Sequence, residues 1–179
     1  QSFADLWLGV ASYLPNIVVA VIIFAVGWFI GAFIGRIIDQ IFKSIKADNA
    51  LRSAGVGELV ERGGLKLNSG AFVGGLVKWF VILAFLVASF DALKLDRVTE
   101  FLRYVVLVKV PEIIVAVLIL MVAAVLAEVI HKIVAASAKA AGIKTAGFLG
   151  NLAKWVIWIF AIIVALSQIG IADEFLFTF

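Results

Sequence analysis

The chain alternates between long uncharged apolar stretches and short segments that hold most of its charged residues. The first stretch runs from Pro15 to Gly35 without a charge. A helix needs about 20 apolar residues to cross the roughly 30 Å hydrocarbon core of a bilayer. Three later apolar stretches, which hold one or two charged residues each, come close to that length: 71–93, 111–127 and 148–171. Because lipid cannot satisfy backbone polar groups, the pattern predicts four transmembrane helices.

Composition supports a bilayer as the solvent. Of the 179 residues, 65% are hydrophobic, against roughly 45–50% in soluble domains. The chain has no cysteine, which excludes disulfides and thiolate chemistry. We therefore predict an all-α integral membrane protein whose transmembrane helices lie at about 15–40, 71–93, 111–135 and 148–171.

Short amphipathic segments are predicted beside the spans. Before Pro15, apolar residues recur at helical spacing around Trp7, which is typical of a helix lying in the membrane interface. Residues 97–102, with Phe101, have a similar pattern, and residues 172–176 resemble the start of another such helix. We expect Trp7 and Phe101 to be interfacial anchors, and we expect a further segment or domain to follow Phe179.

The second half of the chain repeats the pattern of the first. An alignment that sets Pro15 opposite Pro111 also sets Arg36 opposite Lys132. In the second span of each half, Lys78 and the tryptophan after it match Lys154 and its following tryptophan. We predict two parallel repeats, 1–95 and 96–179, each made of an interfacial helix, a span, a basic loop and a second span.

Positive charge predicts the orientation. The segments 41–69 and 132–146 hold most of the lysines and arginines that lie between spans. Basic loops stay on the cytoplasmic side, so we expect both segments in the cytoplasm and both termini outside a multi-pass protein of the cell inner (plasma) membrane.

Small residues follow one face of the first span. Gly27, Gly31 and Gly35 recur every four residues, and Ala123 and Ala127 are small residues of the third span. Such a groove lets another backbone approach closely, which favours a helix-packing seam. A pore-facing or hinging surface is the alternative interpretation.

Charged residues sit near the ends of the spans. Those predicted at the cytoplasmic edge are Arg36, Asp39, Lys78, Glu128, Lys132 and Lys154. Snorkelling to the interface explains them, although an ionisable residue within a membrane is a candidate for function. Lys78 and Lys154 lie about two turns into their helices, so each needs a partner such as Asp39 or Glu128.

Motifs of catalysis are missing from the sequence. It contains no paired carboxylates within a span, no Gly-x-Ser-x-Gly and no phosphate-binding loop. The single histidine, His131, has no second ligand cluster beside it. We expect no enzyme activity, no cofactor, no metal site and no nucleic-acid partner; the expected partners are membrane lipids, further copies of the chain, and ions.

Short motifs in both halves resemble a known family. Leu14-Pro15-Asn16-Ile17, then Gly27-Trp28-Phe29-Ile30-Gly31 and a basic exit at Arg36, are similar to the conserved transmembrane helix repeat of proteins related to the small-conductance mechanosensitive (MscS-like) channel family. Val110-Pro111-Glu112-Ile113 and the segment 147–155 resemble the same repeat. The resemblance implies a homo-oligomeric inner-membrane protein and an ion channel gated by bilayer tension. Residues 1–179 hold neither the glycine- and alanine-rich pore helix nor the soluble β-domain of those channels.

Three hypotheses for function follow. The first is a mechanosensitive-channel-like homo-oligomer, in which tension favours the state that occupies more membrane area. The second is a non-conducting membrane scaffold or accessory subunit that assembles through its small-residue seams. A small solute carrier ranks last, because Ser89 and Ser167 are almost the only polar residues near the middle of the spans.

Overall fold

The computed structural model describes residues 2–170, and that range is helical almost throughout. A π-helical segment, Val105–Lys109, joins α5 to α6. The helices are α1 (Phe3–Ser44), α2 (Ala47–Ser53), α3 (Val56–Arg62), α4 (Ser69–Ala92), α5 (Asp96–Tyr104), α6 (Val110–Ala140) and α7 (Ala146–Gln168). Within residues 2–170, four helical runs are long and apolar enough to cross a membrane: Phe3–Ser44, Ser69–Ala92, Asp96–Ala140 and Ala146–Gln168. The predicted all-α fold with four spans is confirmed.

The first helix is longer than predicted. α1 is 42 residues long and continues through Pro15, so the segment around Trp7 is not a separate interfacial helix. At 1.5 Å per residue α1 extends about 63 Å, which is twice the hydrocarbon thickness. A proline removes one backbone donor from a helix, and the residues on either side of Pro15 keep the helix continuous.

The second interfacial segment is likewise continuous with its span. α5, the π-helical segment and α6 form one helical run from Asp96 to Ala140. α5 is amphipathic: Thr99 is buried, whereas Phe101 is exposed. The predicted interfacial helix 172–176 lies outside the described residues.

Two compact units divide the chain, and they interleave along the sequence. Unit 1 contains α1 up to Asp39 together with the segment Ala71–Pro111. Unit 2 contains Gln40–Gly70 and the chain from Glu112 onward. Unit 1 thus holds the helix pair α1 and α4, and unit 2 holds the pair α6 and α7. The boundary between sequence repeats at 95 and 96 remains a prediction, since these units follow packing and not order along the chain.

Small side chains dominate the buried positions, and many large apolar ones are exposed. Alanines and glycines make up most of the buried residues of α1, α6 and α7. Phe29 of α1 is 77% exposed, and on α7 Trp155 is 66% and Phe160 is 65% exposed. Water would penalise such a surface, whereas hydrocarbon would not.

The spans of the two halves end in the same way. After α1 the chain turns at Lys46 in the left-handed region (φ 55°), and after α6 it turns at Gly142 (φ 77°). After α4 and α7 the corresponding turns are at Lys94 (φ 60°) and Gly170 (φ 83°). The backbone hydrogen bonds also match: Lys46 donates to Lys43, and Gly142 to Lys139. Each pair of turns is equivalent in the sequence alignment of the two halves.

Candidate functional site

The glycine face of α1 is the seam of unit 1, and α4 covers it. A methyl group at Gly31 would stand 2.9 Å from the backbone oxygen of Lys78, and one at Gly35 would stand 2.9 Å from the backbone oxygen of Gly74. Both distances are too short for any side chain. The two backbones therefore approach as closely as glycine permits, within one chain.

Further along the same seam, an aromatic ring and a hydroxyl complete the packing. Gly27 contacts the side chain of Phe85 so closely that a Cβ there would overlap it. The Ser89 hydroxyl, which is 5% exposed, lies 2.9 Å from the carbonyl oxygen of Ala20 and 2.9 Å from that of Phe85. Ser89 is thus a satisfied link between α1 and α4, while Ser167 is exposed.

The seam of unit 2 uses alanines at the matching positions of α6. Ala127 is 0% exposed and Ala123 is 7% exposed. On α7, a methyl group at Gly150 would lie 2.9 Å from His131 Nδ1 and 3.0 Å from the Ala135 Cβ. The alignment of the two halves sets Gly150 opposite Gly74, and His131 opposite Gly35. The same point of close approach therefore recurs in both units.

The lysine of α7 meets one of its predicted partners. Lys154 Nζ lies 3.2 Å from Glu128 Oε2, and the two side chains are 34% and 19% exposed. This ion pair links α6 to α7 one helical turn before His131. It pairs two opposite charges that are both partly buried.

The lysine of α4 meets a partner that sequence reasoning missed. Lys78 Nζ lies 5.5 Å from the centre of the Trp28 ring, within the range of a cation–π interaction. Trp28 also packs edge-on against Trp79, with ring centres 5.9 Å apart. In the sequence Trp28 appears only within the family motif, and the available signal for this contact was a tryptophan on one span with a lysine two turns into the next.

The remaining edge charges lie one to two turns before the ends of α1 and α6. Arg36 and Lys132 are exposed, and Asp39 is half-buried near the end of the span in α1. The predicted anchors are also open to the surroundings, with Trp7 66% exposed and Phe101 68% exposed.

His131 is half-buried, and its Nδ1 makes no hydrogen bond within residues 2–170. In that part of the chain no three His, Cys, Asp or Glu side chains lie together as a metal site would need.

A polar clamp, also missed from sequence, holds the start of α4. Asp48 Oδ1 on α2 accepts hydrogen bonds from the backbone N–H of Ser69 (2.8 Å) and from its hydroxyl (2.6 Å). Burial raises the pKa of Asp48, but the Ser69 hydrogen bonds and the nearby charges of Arg52 and Lys43 outweigh burial and lower the pKa overall. The carboxylate satisfies a free N–H at a helix start, which no local pattern indicates across 21 residues.

Unit 2 also contains two apolar grooves along α6. One, of about 370 Å³, lies against the end of α1 and α2. The other, of about 590 Å³, lies against α7 and includes Ala123 and Ala161. The sequence alignment places these two alanines opposite Gly27 and Phe85, so unit 1 holds a ring where unit 2 has an open groove.

The similarity to known proteins lies in the first helix. Residues 1–50 match the family model described as the mechanosensitive ion channel conserved TM helix. The conserved TM helix coincides with α1, its turn at Lys46 and the first residues of α2. No curated protein and no solved structure matches the chain. The glycine seam that α4 covers thus lies within the matched residues.

Proposed function

We propose that the chain is the subunit of a mechanosensitive-channel-like homo-oligomer of the inner membrane, which conducts ions when bilayer tension rises. The match of residues 1–50 to the conserved TM helix carries the proposal. Tension favours whichever of two states occupies more membrane area, so the mechanism is a shift of population between them.

The close packing of the two seams suggests which helices stay together when the molecule changes state. In unit 1 backbone lies on backbone at Gly35 and Gly74, and in unit 2 Gly150 lies on α6. Packed interfaces of this kind switch between discrete arrangements and do not deform gradually. Each helix pair is proposed to move as one body, with gating at surfaces outside the seams.

Orientation is part of the proposal. The segments 41–69 and 132–146 face the cytoplasm, because their lysines and arginines resist translocation. Lys78 and Lys154 then reach toward the same side, where their ammonium groups approach the headgroups.

The two halves are proposed to be repeats of one helix-pair unit. The left-handed turns at Lys46 and Gly142 support this, as do those at Lys94 and Gly170, because each pair falls at equivalent positions. The shared close approach at Gly74 and Gly150 is independent support.

A non-conducting scaffold is the alternative. Its first form, assembly through the glycine face of α1, is disfavoured because α4 already covers Gly31 and Gly35. A scaffold would have to assemble through exposed aromatic residues such as Phe29 and Phe33, and these would line a closed apolar centre.

Patch-clamp recording of purified protein in liposomes distinguishes the two. We expect tension-dependent unitary currents well below the tension that ruptures the membrane. A mass measurement of the detergent-solubilised protein gives the number of subunits in the same preparation. Silent patches from a folded homo-oligomer, up to near-lytic tension, would favour the scaffold and reject conduction.

A further inference from the structure

A π-helical turn separates α5 from α6. In this turn, Val105–Lys109, the N–H of Val110 donates to the carbonyl of Val105, five residues back instead of four. Pro111 follows and has no N–H to donate. The carbonyl of Val106 therefore lacks both of its usual helical donors, because Val110 is engaged elsewhere and Pro111 cannot donate. Helices bend at π turns and at prolines, and here the two features adjoin.

The first half of the chain has the proline without the π turn. Pro15 aligns with Pro111, yet α1 continues through Pro15 as an unbroken α-helix. A proline by itself thus leaves α1 continuous, whereas α5 is joined to its span by a turn with a missing hydrogen bond. Within residues 2–170, only the second half has such a weak joint in front of its first span.

α5 has one polar and one apolar face. Asp96, Glu100 and Arg103 recur at helical spacing on the polar face, and Val98 and Phe101 lie on the opposite face. Both of these apolar side chains are exposed. The helix contains equal numbers of acidic and basic residues, so it has no net charge. Such a helix binds the bilayer interface through its apolar face, and it binds more strongly where lipid packing is loose.

The buried side of α5 is held without a side-chain hydrogen bond. Thr99 is 3% exposed, and its Oγ1 has no hydrogen-bond partner in the described part of the chain. A buried hydroxyl without a partner costs free energy, and release of α5 to water or to lipid headgroups recovers that cost. The docked position, in which Thr99 is buried, is therefore easier to leave than a fully hydrogen-bonded one.

We propose that α5 is a hinged arm that leaves this docked position and lies on the membrane surface when tension loosens the packing of lipid headgroups. The π turn and Pro111 form the hinge, and the face with Val98 and Phe101 binds the lipid. Tension shifts the population between the two positions, because the surface position gains apolar contact only when gaps open. The inference rests on the proposed membrane embedding, and it names the segment of the proposed channel that responds to tension.

Spin labels at single cysteines test the proposal, since the chain has no cysteine of its own. The full chain with Val98→Cys is labelled and reconstituted in dioleoyl phosphatidylcholine liposomes, and lysophosphatidylcholine is then added to loosen lipid packing. Electron paramagnetic resonance compares the access of oxygen, which dissolves in lipid, with that of a water-soluble nickel chelate. We expect the ratio of oxygen access to nickel access to rise as α5 moves onto the lipid.

Leu6→Cys provides the matched label position. Leu6 is an exposed apolar residue of α1 in front of Pro15, and the alignment of the two halves sets it opposite Leu102 of α5. Because α1 has no π turn at that place, the access ratio of the Leu6 label should stay constant.

Two substitutions should each reduce the change at the Val98 label. Thr99→Val replaces the unpartnered hydroxyl with a methyl group of similar size and so favours the docked position. Pro111→Ala restores a backbone donor and so stiffens the joint. Thr99→Ser keeps the hydroxyl and Pro15→Ala alters the other half, so both are controls that should retain the change. Should Pro111→Ala fail to fold, the pair Thr99→Val and Thr99→Ser still decides.

A constant ratio at the Val98 label, or an equal rise at the Leu6 label, would overturn the inference. So would a rise that Thr99→Val and Pro111→Ala leave unchanged. The labels report the position of α5 without any current. A rise in a protein that stays silent in patch recordings would therefore retain the hinged arm and reject conduction, whereas currents without a rise would retain conduction and reject the arm.

Discussion

The two helix pairs keep a lysine at the same point of their second helix, and each pair stabilises it differently. In unit 1 the Lys78 ammonium lies over the Trp28 ring, and in unit 2 Lys154 pairs with Glu128. The lysine is common to both pairs, whereas its partner is not. The position therefore keeps its cation in both units, and either an aromatic ring or a carboxylate contacts it.

The seams of the two units also share one part and differ in another. Unit 1 sets Gly27 against Phe85, and unit 2 sets Ala123 beside Ala161 with an open groove. Toward the basic ends, Gly74 and Gly150 make equivalent close contacts. The helix pairs are thus alike at Gly74 and Gly150. Further along, the Phe85 ring fills the seam of unit 1, while the corresponding part of unit 2 is an open groove.

The largest expected effect is at a point of the first seam where backbone meets backbone. Gly35→Ala places a methyl group 2.9 Å from a backbone oxygen, which cannot move aside as a flexible side chain can. We expect the free energy of unfolding, measured by titration of mixed micelles with dodecyl sulfate, to fall by about 1–3 kcal/mol.

Gly75→Ala is the matched control on α4, because a methyl group there meets nothing within 4 Å. It should be neutral or stabilising by up to about 1 kcal/mol, as alanine favours helix over glycine. Equal losses in the two variants would mean that the seam is not as close as described.

Removing the carboxylate from the second pair should come next. Glu128→Gln leaves the half-buried Lys154 without its ion-pair partner, and the free energy of unfolding should fall by about 1–2 kcal/mol. The double variant Glu128→Gln with Lys154→Met should recover most of that loss, because no uncompensated charge remains. If the double variant were no more stable than the single one, the contrast between the two lysines would lose its electrostatic basis.

The clamp at the start of α4 should make stability depend on pH. The pKa of Asp48 is lower in the folded state than in the unfolded one, so its contribution is complete above the ordinary aspartate pKa of about 3.9. It is lost as pH falls through the folded pKa. Asp48→Asn should cost about 1 kcal/mol at pH 7, and thermal unfolding scans should find the difference from the parent shrinking toward pH 3.

Ser69→Ala is the partner test, since it removes the hydroxyl donor and keeps the backbone N–H. It should lower stability by less than Asp48→Asn. A difference between Asp48→Asn and the parent that stays constant from pH 7 to pH 3 would argue against the clamp.

The smallest expected effects are at the turns. Lys46→Gly and Lys94→Gly remove the Cβ from residues in the left-handed region, which relieves backbone strain. Glycine also gives the unfolded chain more freedom, so the net gain in the free energy of unfolding should be about 0.5 kcal/mol for each variant. Gly142→Lys should destabilise by a similar amount, measured by the same detergent titration. Stabilisation by the lysine-to-glycine variants together with destabilisation by Gly142→Lys would support equivalent turns in the two halves. A change of the same sign in all three variants would contradict that equivalence.

Several site residues could be predicted from the sequence, but most of their partners could not. The spacing of Gly27, Gly31 and Gly35 indicated a close approach, but it did not say whether α4 or a second copy would fill it. Lys154 and Glu128 were paired correctly among alternatives. For Lys78 the sequence predicts a carboxylate partner such as Asp39 or Glu128, whereas its tryptophan partner depends on how α1 and α4 are rotated against each other.

The sequence by itself determined the four spans, because apolar stretches of sufficient length with few charges have one low-energy state in lipid, and the cost of exposing backbone decides it locally. Tertiary structure alone decided that the glycine face is covered within the chain and that Asp48 caps a helix 21 residues away. Those outcomes depend on the relative rotation and depth of packed helices. Many weak contacts sum to set that geometry, and no short pattern of residues encodes it.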